Sequence, residues 1–141
     1  MLKRKAKHDK MSLTRLHKRA WDLQSKAIRQ EENGQCFTCL KKDDWKNMDL
    51  GHFRHGKNMD FIRENLHVQC SRCNRFLHGN LGIYAEKLEE KYGQGIIQKL
   101  NALADKLKIW KRQELMDIIE KYGEKKNPPL RKRDKRVASS S

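Results

Sequence analysis

The sequence is poor in the residues that build a large core. Only 36% of its residues are hydrophobic and 7% are aromatic, whereas 36% are charged. No apolar run approaches the ~20 residues that a membrane-spanning helix needs. The basic N-terminus is not followed by an apolar segment of the kind found in signal peptides. We therefore expect a cytoplasmic protein with a small core and no membrane partner.

Acidic residues are scarce relative to basic ones. There are 18 Asp and Glu against 33 Lys and Arg, giving a formal net charge of +15. Residues 1–10 carry five Lys/Arg against Asp9, and residues 124–141 carry seven against two acids, so the two ends supply more than half of the excess. This charge favours a nucleic-acid partner. We predict a basic, disordered arm over residues 1–11 and a basic tail over residues 124–141 that contacts phosphates.

Cysteine is limited to two Cys-x-x-Cys pairs, Cys36–Cys39 and Cys70–Cys73. This spacing lets two thiolates bind one tetrahedral zinc ion at about 2.3 Å. Disulfides are rare in the cytosol, and a redox dithiol more often involves one pair beside a βαβ pattern. The four cysteines are therefore predicted to hold a structural zinc ion, which would also compensate for the small core.

Apolar periodicity predicts an α+β protein that is mainly helical, with a single domain over residues 12–123. Residues 12–33 form a helix capped by Ser12 and stopped by Asn33-Gly34. Residues 34–80 hold two short strands, 48–53 and 66–69, followed by a helix from Asn74 with the zinc at its edge. Residues 80–123 hold three helices; the first ends at Gly93, the second includes Leu107 and the third ends at Gly123.

The polar residues between the cysteine pairs suggest phosphodiester hydrolysis. This reaction needs a base for water and a divalent ion that neutralises charge on the phosphate. His52, at the end of a predicted strand, is the candidate base, since its ordinary pKa suits neutral pH. Asn74 is the best candidate ligand for Mg²⁺ or Mn²⁺, which prefer oxygen ligands. His78 is a second candidate, one turn on and on the same helix face.

Asp49 is ambiguous at this stage. A residue three positions before His52 on a strand faces the opposite side, so Asp49 either binds the ion or orients a loop. His67 is treated as a packing residue or a phosphate contact. DNA contacts are predicted for the basic side chains around the zinc segment: Arg54, His55, Lys57, Arg72 and Arg75.

These motifs together resemble a known family. Asp49-Leu50-Gly51-His52, Asn65-Leu66-His67 and Cys73-Asn74-Arg75 look like the NinG, or Rap, recombination endonucleases of lambda-type phages, over about residues 15–100. The wider resemblance is to HNH, or ββα-metal, nucleases. It implies an HNH-like, treble-clef-type core with two strands and a helix around one catalytic ion, in a phage protein that works in the bacterial cell.

Site roles carry over position by position. The resemblance implies that His52 is the general base, that Asn65 holds the catalytic loop and that Asn74 is the helix-borne ligand. Gly51 departs from the HNH pattern, which often places an Asp or His ligand there. The family resemblance alone implies branched DNA substrates, such as four-way junctions and D-loops, and phage or host recombination proteins as partners.

Three hypotheses follow from the sequence. The first is a structure-selective DNA endonuclease with structural zinc and catalytic Mg²⁺ or Mn²⁺. The second is a non-catalytic, zinc-dependent DNA-binding protein, and the third is an RNA-binding zinc knuckle. Symmetric cleavage of a junction would suit a homodimer, with the helices of residues 94–122 as its interface.

Overall fold

The computed structural model describes residue 8 and residues 10–125, with side chains through residue 123. The predicted basic arm falls largely, and the basic tail almost wholly, outside these residues. The chain divides into two compact units. Of the described residues, one unit comprises residues 8, 10–27 and 111–125, and the other comprises residues 28–110.

The unit formed by the two ends of the chain contains most of α1 (Leu13–Glu31) and all of α4 (Arg112–Lys125). The Ser12 hydroxyl accepts a hydrogen bond from the Arg15 backbone N–H at 3.2 Å, so the predicted N-cap is confirmed. Each helix buries one apolar stripe at spacings of three and four residues, as an amphipathic helix must. The buried residues are Leu16, Ala20 and Leu23 on α1 and Leu115, Ile119 and Tyr122 on α4.

The predicted end of α4 at Gly123 is wrong, because the helix continues through it to Lys125. A glycine within a helix lowers its stability but does not by itself end it. The matching sequences Lys91-Tyr92-Gly93 and Lys121-Tyr122-Gly123 therefore have different structures. Gly93 lies after α2 with φ 92°, where it does end a helix.

The central unit is built around a small antiparallel sheet. Strands β1 (Asp49–His52) and β2 (Leu66–Gln69) pair directly, with Asp49 opposite Gln69 and His52 opposite Leu66. Both strands were predicted, and β2 has the predicted bounds. The predicted polar loop between them contains two short 3₁₀ turns, Lys57–Met59 and Arg63–Asn65. Another 3₁₀ turn, Trp45–Asn47, precedes β1.

The prediction that an α-helix starts at Asn74 is wrong. Residues Arg72–Phe76 make a single π-helical turn, and the next α-helix, α2, runs over Leu81–Tyr92. His78 and Asn80 lie between them in the left-handed region, at φ 51° and 50°. His78 therefore does not share a helix face with Asn74, and the i+4 argument for it as an ion ligand fails.

Helices α2 and α3 (Ile96–Ala104) complete the central unit. They share a buried cluster with the loop after β1: Phe53, Met59, Tyr84, Leu88, Ile96 and Leu100. The prediction that Leu107 belongs to the apolar stripe of the second helix is wrong, because α3 ends at Ala104 and Leu107 is 94% exposed. None of the described helices is long and apolar enough to cross a membrane.

Candidate metal centre and the polar residues of strand β1

The four cysteines converge on one point. Their sulfur atoms all lie within 4.8 Å of one another, and Cys39 Sγ and Cys70 Sγ are 3.7 Å apart. Four thiolates at about 2.3 Å from a tetrahedral ion would be separated by about 3.8 Å. The cysteines are therefore positioned to bind a metal ion, and their chemistry is consistent with zinc. Among the described residues, no other group of three or more His, Cys, Asp and Glu side chains converges in this way.

Backbone turns hold the cysteines in place. Leu40, at φ 67°, closes the first turn by donating its N–H to the Cys36 carbonyl at 2.9 Å, and the Cys39 N–H points at Cys36 Sγ at 3.5 Å. Burial raises the pKa of the Cys36 thiol, but the Cys39 N–H and the Thr38 hydroxyl outweigh it and lower the pKa to about 6. This thiol therefore favours the thiolate form that metals bind.

Asp49 and Asn74 meet beside the metal centre. The Asn74 N–H bonds the Cys70 carbonyl at 2.9 Å, so the second cysteine pair fixes this residue. Asn74 Nδ2 donates to Asp49 Oδ2 at 3.0 Å, and the Arg75 guanidinium binds both Asp49 oxygens at 3.1 Å. The Asp49 carboxylate therefore lies against Asn74.

His52, at the other end of β1, is held by a residue that sequence reasoning missed. His52 Nε2 lies 2.9 Å from Asp60 Oδ1, with the two side chains only 16% and 19% exposed. A carboxylate accepts the Nε2–H, so this contact places the proton on Nε2 and makes Nδ1 the basic nitrogen. The His55 ring stacks on His52 at 5.2 Å between centroids. Burial lowers the pKa of His55, and the adjacent His52 lowers it further.

Asn65 clamps the backbone that follows His52. Its side-chain oxygen accepts the Arg54 N–H at 2.8 Å, and its amide donates to the Arg54 carbonyl at 2.9 Å. The Asn65 carbonyl also accepts the Phe53 N–H at 2.9 Å. Because Asn65 is fully buried, these bonds fix the loop that leaves β1.

A side chain that crosses β1 explains why residue 51 is a glycine. A Cβ on Gly51 would lie 2.0 Å from Gln69 Oε1. Gln69 cannot easily turn away, since its amide nitrogen donates to Thr38 Oγ1 at 3.2 Å and to the Gly79 carbonyl at 2.8 Å. Tyr84, on α2, donates its hydroxyl to the Gly51 carbonyl at 2.8 Å. The residue before His52 thus serves packing, which is why no ligand side chain stands there.

The predicted basic contacts fall into two sets. His55, Lys57 and Arg72 are exposed, as a phosphate contact requires. Arg54 is half-buried and donates to Asn101, with Asp105 at 3.9 Å, and Arg75 is paired with Asp49. His67 is fully buried, so the view that it contacts phosphate is wrong. His78 is exposed on the turn before α2.

Comparison with known proteins identifies one family. The family model described as Bacteriophage Lambda NinG protein matches residues 2–132. Two curated relatives, each called Protein ninG, come from Escherichia phage 933W and Enterobacteria phage VT2-Sa. Each is 30% identical over 95 residues, which cover 64% of this chain and 45% of the relative, so the chain spans about half their length. No solved structure matches the chain.

Proposed function

Because the chain belongs to the bacteriophage lambda NinG family, and because β1 carries His52 paired to Asp60 at one end and Asp49 paired to Asn74 at the other, we propose that it is a metal-dependent DNA endonuclease. The proposed substrates are branched recombination intermediates such as four-way junctions and D-loops. The proposed core is of the HNH, or ββα-metal, type. The observation that carries the proposal is the His52–Asp60 contact, which gives a histidine at a strand end a defined tautomer.

The role proposed for His52 is to take a proton from water at Nδ1. Asp60 positions the ring and stabilises the imidazolium that forms when the proton arrives. Asn65 keeps the following backbone rigid, so the ring is held where the strand ends. In this proposal His52 is the base, the Asp60 carboxylate orients it, and Asn65 fixes the backbone that follows it.

Asp49 and Asn74 are the residues that would hold Mg²⁺ or Mn²⁺. The Asn74 amide nitrogen donates to Asp49 Oδ2 at 3.0 Å, so Asn74 Oδ1 and the Asp49 carboxylate are the candidate ligand atoms. These ions commonly use one or two protein ligands with the rest water. The ion, when bound, supplies charge neutralisation at the phosphate and the leaving oxygen. In an in-line displacement the attacking and leaving oxygens lie on opposite sides of phosphorus, so the proposal requires one phosphate to lie between His52 and the Asp49–Asn74 pair.

Arg75 occupies the Asp49 carboxylate and would compete with the ion for it. Its side chain is 67% exposed, so it can leave that carboxylate without losing buried packing. We expect Arg75→Gln to tighten Mn²⁺ binding and to weaken DNA binding. A manganese titration followed by electron paramagnetic resonance, beside DNA anisotropy, separates the two effects.

The four cysteines are proposed to hold zinc as a structural ion, since all are thiolate donors and no position is left open for water. Proposed partners are phage or host recombination proteins, and a homodimer would match the symmetry of a four-way junction. A competition experiment between RNA and DNA of the same sequence would show whether the protein prefers RNA.

The deciding experiment is cleavage of an end-labelled four-way junction and a matched linear duplex. Zinc-loaded protein is assayed with Mg²⁺, with Mn²⁺ and without added ion, avoiding chelators that would strip the cysteines. We expect ion-dependent cutting of the junction that His52→Ala reduces by at least about 10²-fold, the usual scale of general-base catalysis. His17→Ala, on α1, is the matched control. Cutting by His52→Ala at the wild-type rate would refute the base assignment.

The second candidate is a non-catalytic DNA-binding protein. The observation that favours it is the Asp49 carboxylate, which is already satisfied by Asn74 and Arg75. Tight, salt-sensitive binding with no cleavage in any ion would establish this function and make Asp49 a structural residue.

A further inference from the structure

Two large apolar side chains are exposed to solvent in the segment after α3. Leu107 is 94% exposed and Ile109 is 71% exposed, whereas Lys108 and Trp110 are half-buried. This alternation indicates an extended chain with one side turned inward and Leu107 and Ile109 outward. Lys106 precedes Leu107, whereas Lys108 lies between the two apolar residues and places its ammonium 4.8 Å from the centroid of the Trp110 ring.

The inward side attaches the segment to the loop that carries Asp60. Trp110 Nε1 donates to the Lys57 carbonyl at 2.9 Å, and its ring packs edge-on against Phe61 at 5.2 Å between centroids. The Asn58 amide donates to the carbonyls of Ala104 and Lys106 at 3.0 and 2.9 Å. The exposed pair is therefore held on the loop whose Asp60 binds His52, and is not part of a loose linker.

The chemistry of the segment matches interrupted DNA. The exposed Lys106 beside the apolar pair places a cation where phosphates run, and the pair itself places hydrocarbon where bases stack. The net charge of +15 makes DNA the complementary partner. A continuous duplex hides its base faces, so the apolar pair gains contacts mainly where stacking is broken.

We propose that Leu107 and Ile109 form a wedge that inserts against unstacked bases at a branch point or other interruption of duplex DNA. This rests on the proposed function and deepens it, because the wedge would select interrupted substrates and position them beside His52. Lys106 contacts the DNA backbone, and Leu107 and Ile109 contact the bases at the interruption.

The test is 2-aminopurine fluorescence at the branch point of a four-way junction, read beside anisotropy with a linear duplex. Ca²⁺ is used without chelator, so that zinc stays bound and the readout does not require cleavage. Wild-type protein should raise the fluorescence, because insertion unstacks the probe. Leu107→Ser with Ile109→Ser should abolish the rise and weaken junction binding about tenfold, the scale of one lost base stack. Linear-duplex binding should change less than about twofold.

Two further variants make the test decisive. Leu13→Ser removes another exposed leucine, 48% exposed on α1, and should behave as wild type. Leu107→Met with Ile109→Met keeps the hydrocarbon and should retain the signal. Equal losses on junction and linear DNA would overturn the wedge, as would an unchanged fluorescence rise in the serine variant. A serine variant that instead converts a dimer to a monomer in sedimentation would assign the pair to self-association and also overturn it.

A fluorescence rise without cleavage in Mg²⁺ or Mn²⁺ would refute the nuclease proposal and keep the wedge. Junction cleavage, with no difference in fluorescence or binding between wild type and the serine variant, would support the nuclease proposal and overturn the wedge.

Discussion

Gly51 shows how a single residue of β1 is set by its neighbour across the sheet. An added methyl group would overlap Gln69 Oε1, and Gln69 is tied to Thr38 and Gly79. We expect Gly51→Ala to lower the free energy of unfolding by about 1–3 kcal/mol, the cost of overpacking a core. Urea unfolding of the metal-loaded protein measures this.

Gly82→Ala is the matched control for that substitution. Nothing lies within 4 Å of a Cβ built on Gly82, which is inside α2. Alanine is a better helix former, so this variant should gain about 0.5–1 kcal/mol. If both alanine variants unfolded at the same urea concentration, the crowding at Gly51 would be disproved.

Asp60 illustrates what sequence could not supply at the residue scale. His52 was singled out because a motif surrounds it, but Asp60 lies eight residues on, in a loop without periodicity. The turn at Lys57–Met59 and the Asn65 clamp, both formed by folding, return that loop to the end of β1. We expect Asp60→Asn to keep the fold and DNA affinity and to lower kcat of the proposed cleavage, since an amide no longer fixes the tautomer and orientation of the His52 ring. A wild-type kcat in this variant would remove Asp60 from the positioning role.

At the scale of elements, a buried network joins α1, β2 and α2. His67 Nδ1 donates to Glu32 at 2.7 Å, and the Tyr92 hydroxyl donates to His67 Nε2 at 3.1 Å. Burial lowers the pKa of His67, so the ring is neutral at pH 7. Burial raises the pKa of Glu32, but hydrogen bonds from His67, Val68 and Arg63 outweigh it and lower the pKa.

Both shifts make the fold sensitive to acid. A group whose pKa is lower in the folded state stabilises the protein above its unfolded pKa, and this stability is lost as pH falls. The loss should begin below about pH 6.5 for His67 and below about 4.5 for Glu32, their ordinary values. Between pH 7 and 5 the free energy of unfolding should fall by at most about 1.4 kcal/mol per pH unit from His67.

His67→Phe tests this assignment. It keeps a ring against Phe37, which stacks on His67 at 4.0 Å, but removes the titrating group. The variant should be less stable at pH 7 and show a shallower dependence on pH, whereas Tyr92→Phe should keep the wild-type slope. Chemical unfolding at several pH values gives the slopes. Parallel slopes for wild type and His67→Phe would show that another group titrates.

The sequence predicted the elements whose signal is local. The Ser12 cap, the stop at Asn33-Gly34 and the β2 strand depend on residues within one turn or strand, and the structure has them. The π-helical turn at Arg72–Phe76 could not be predicted, because periodicity suggests a continuous helix there. In the structure the Cys73 carbonyl accepts the Gly79 N–H, and the chain turns. Leu107 fits the apolar stripe by spacing, yet α3 stops three residues earlier.

The metal centre joins the first cysteine turn to the end of β2. Structural zinc sites contribute about 10–16 kcal/mol in small domains, as much as the whole stability of a typical protein. We therefore expect Cys70→Ser to unfold the central unit, seen as lost circular dichroism and no cooperative melting. Ser71→Ala, the adjacent change, should melt as wild type. A folded Cys70→Ser protein would show that the thiolates do not hold the unit together.

At the scale of the whole molecule, the excess of basic residues should make the proposed DNA binding depend on salt. Each phosphate neutralised by Lys or Arg steepens the salt dependence of binding by about 0.9 in log–log slope. Residues 126–141 carry six Lys/Arg against Asp134. Ending the chain after Lys125 should therefore reduce the slope by up to about 5 units, if all six contact phosphates.

The truncation separates contacts that add affinity from those that select a substrate. Phosphate contacts are the same on linear and branched DNA, so both affinities should fall by the same factor and their ratio should be unchanged. Anisotropy titrations over a range of salt, with junction and linear duplex, measure slope and ratio together. An unchanged slope would show that the basic tail makes no phosphate contact. A ratio that collapsed to one would place selectivity in the tail and away from Leu107 and Ile109.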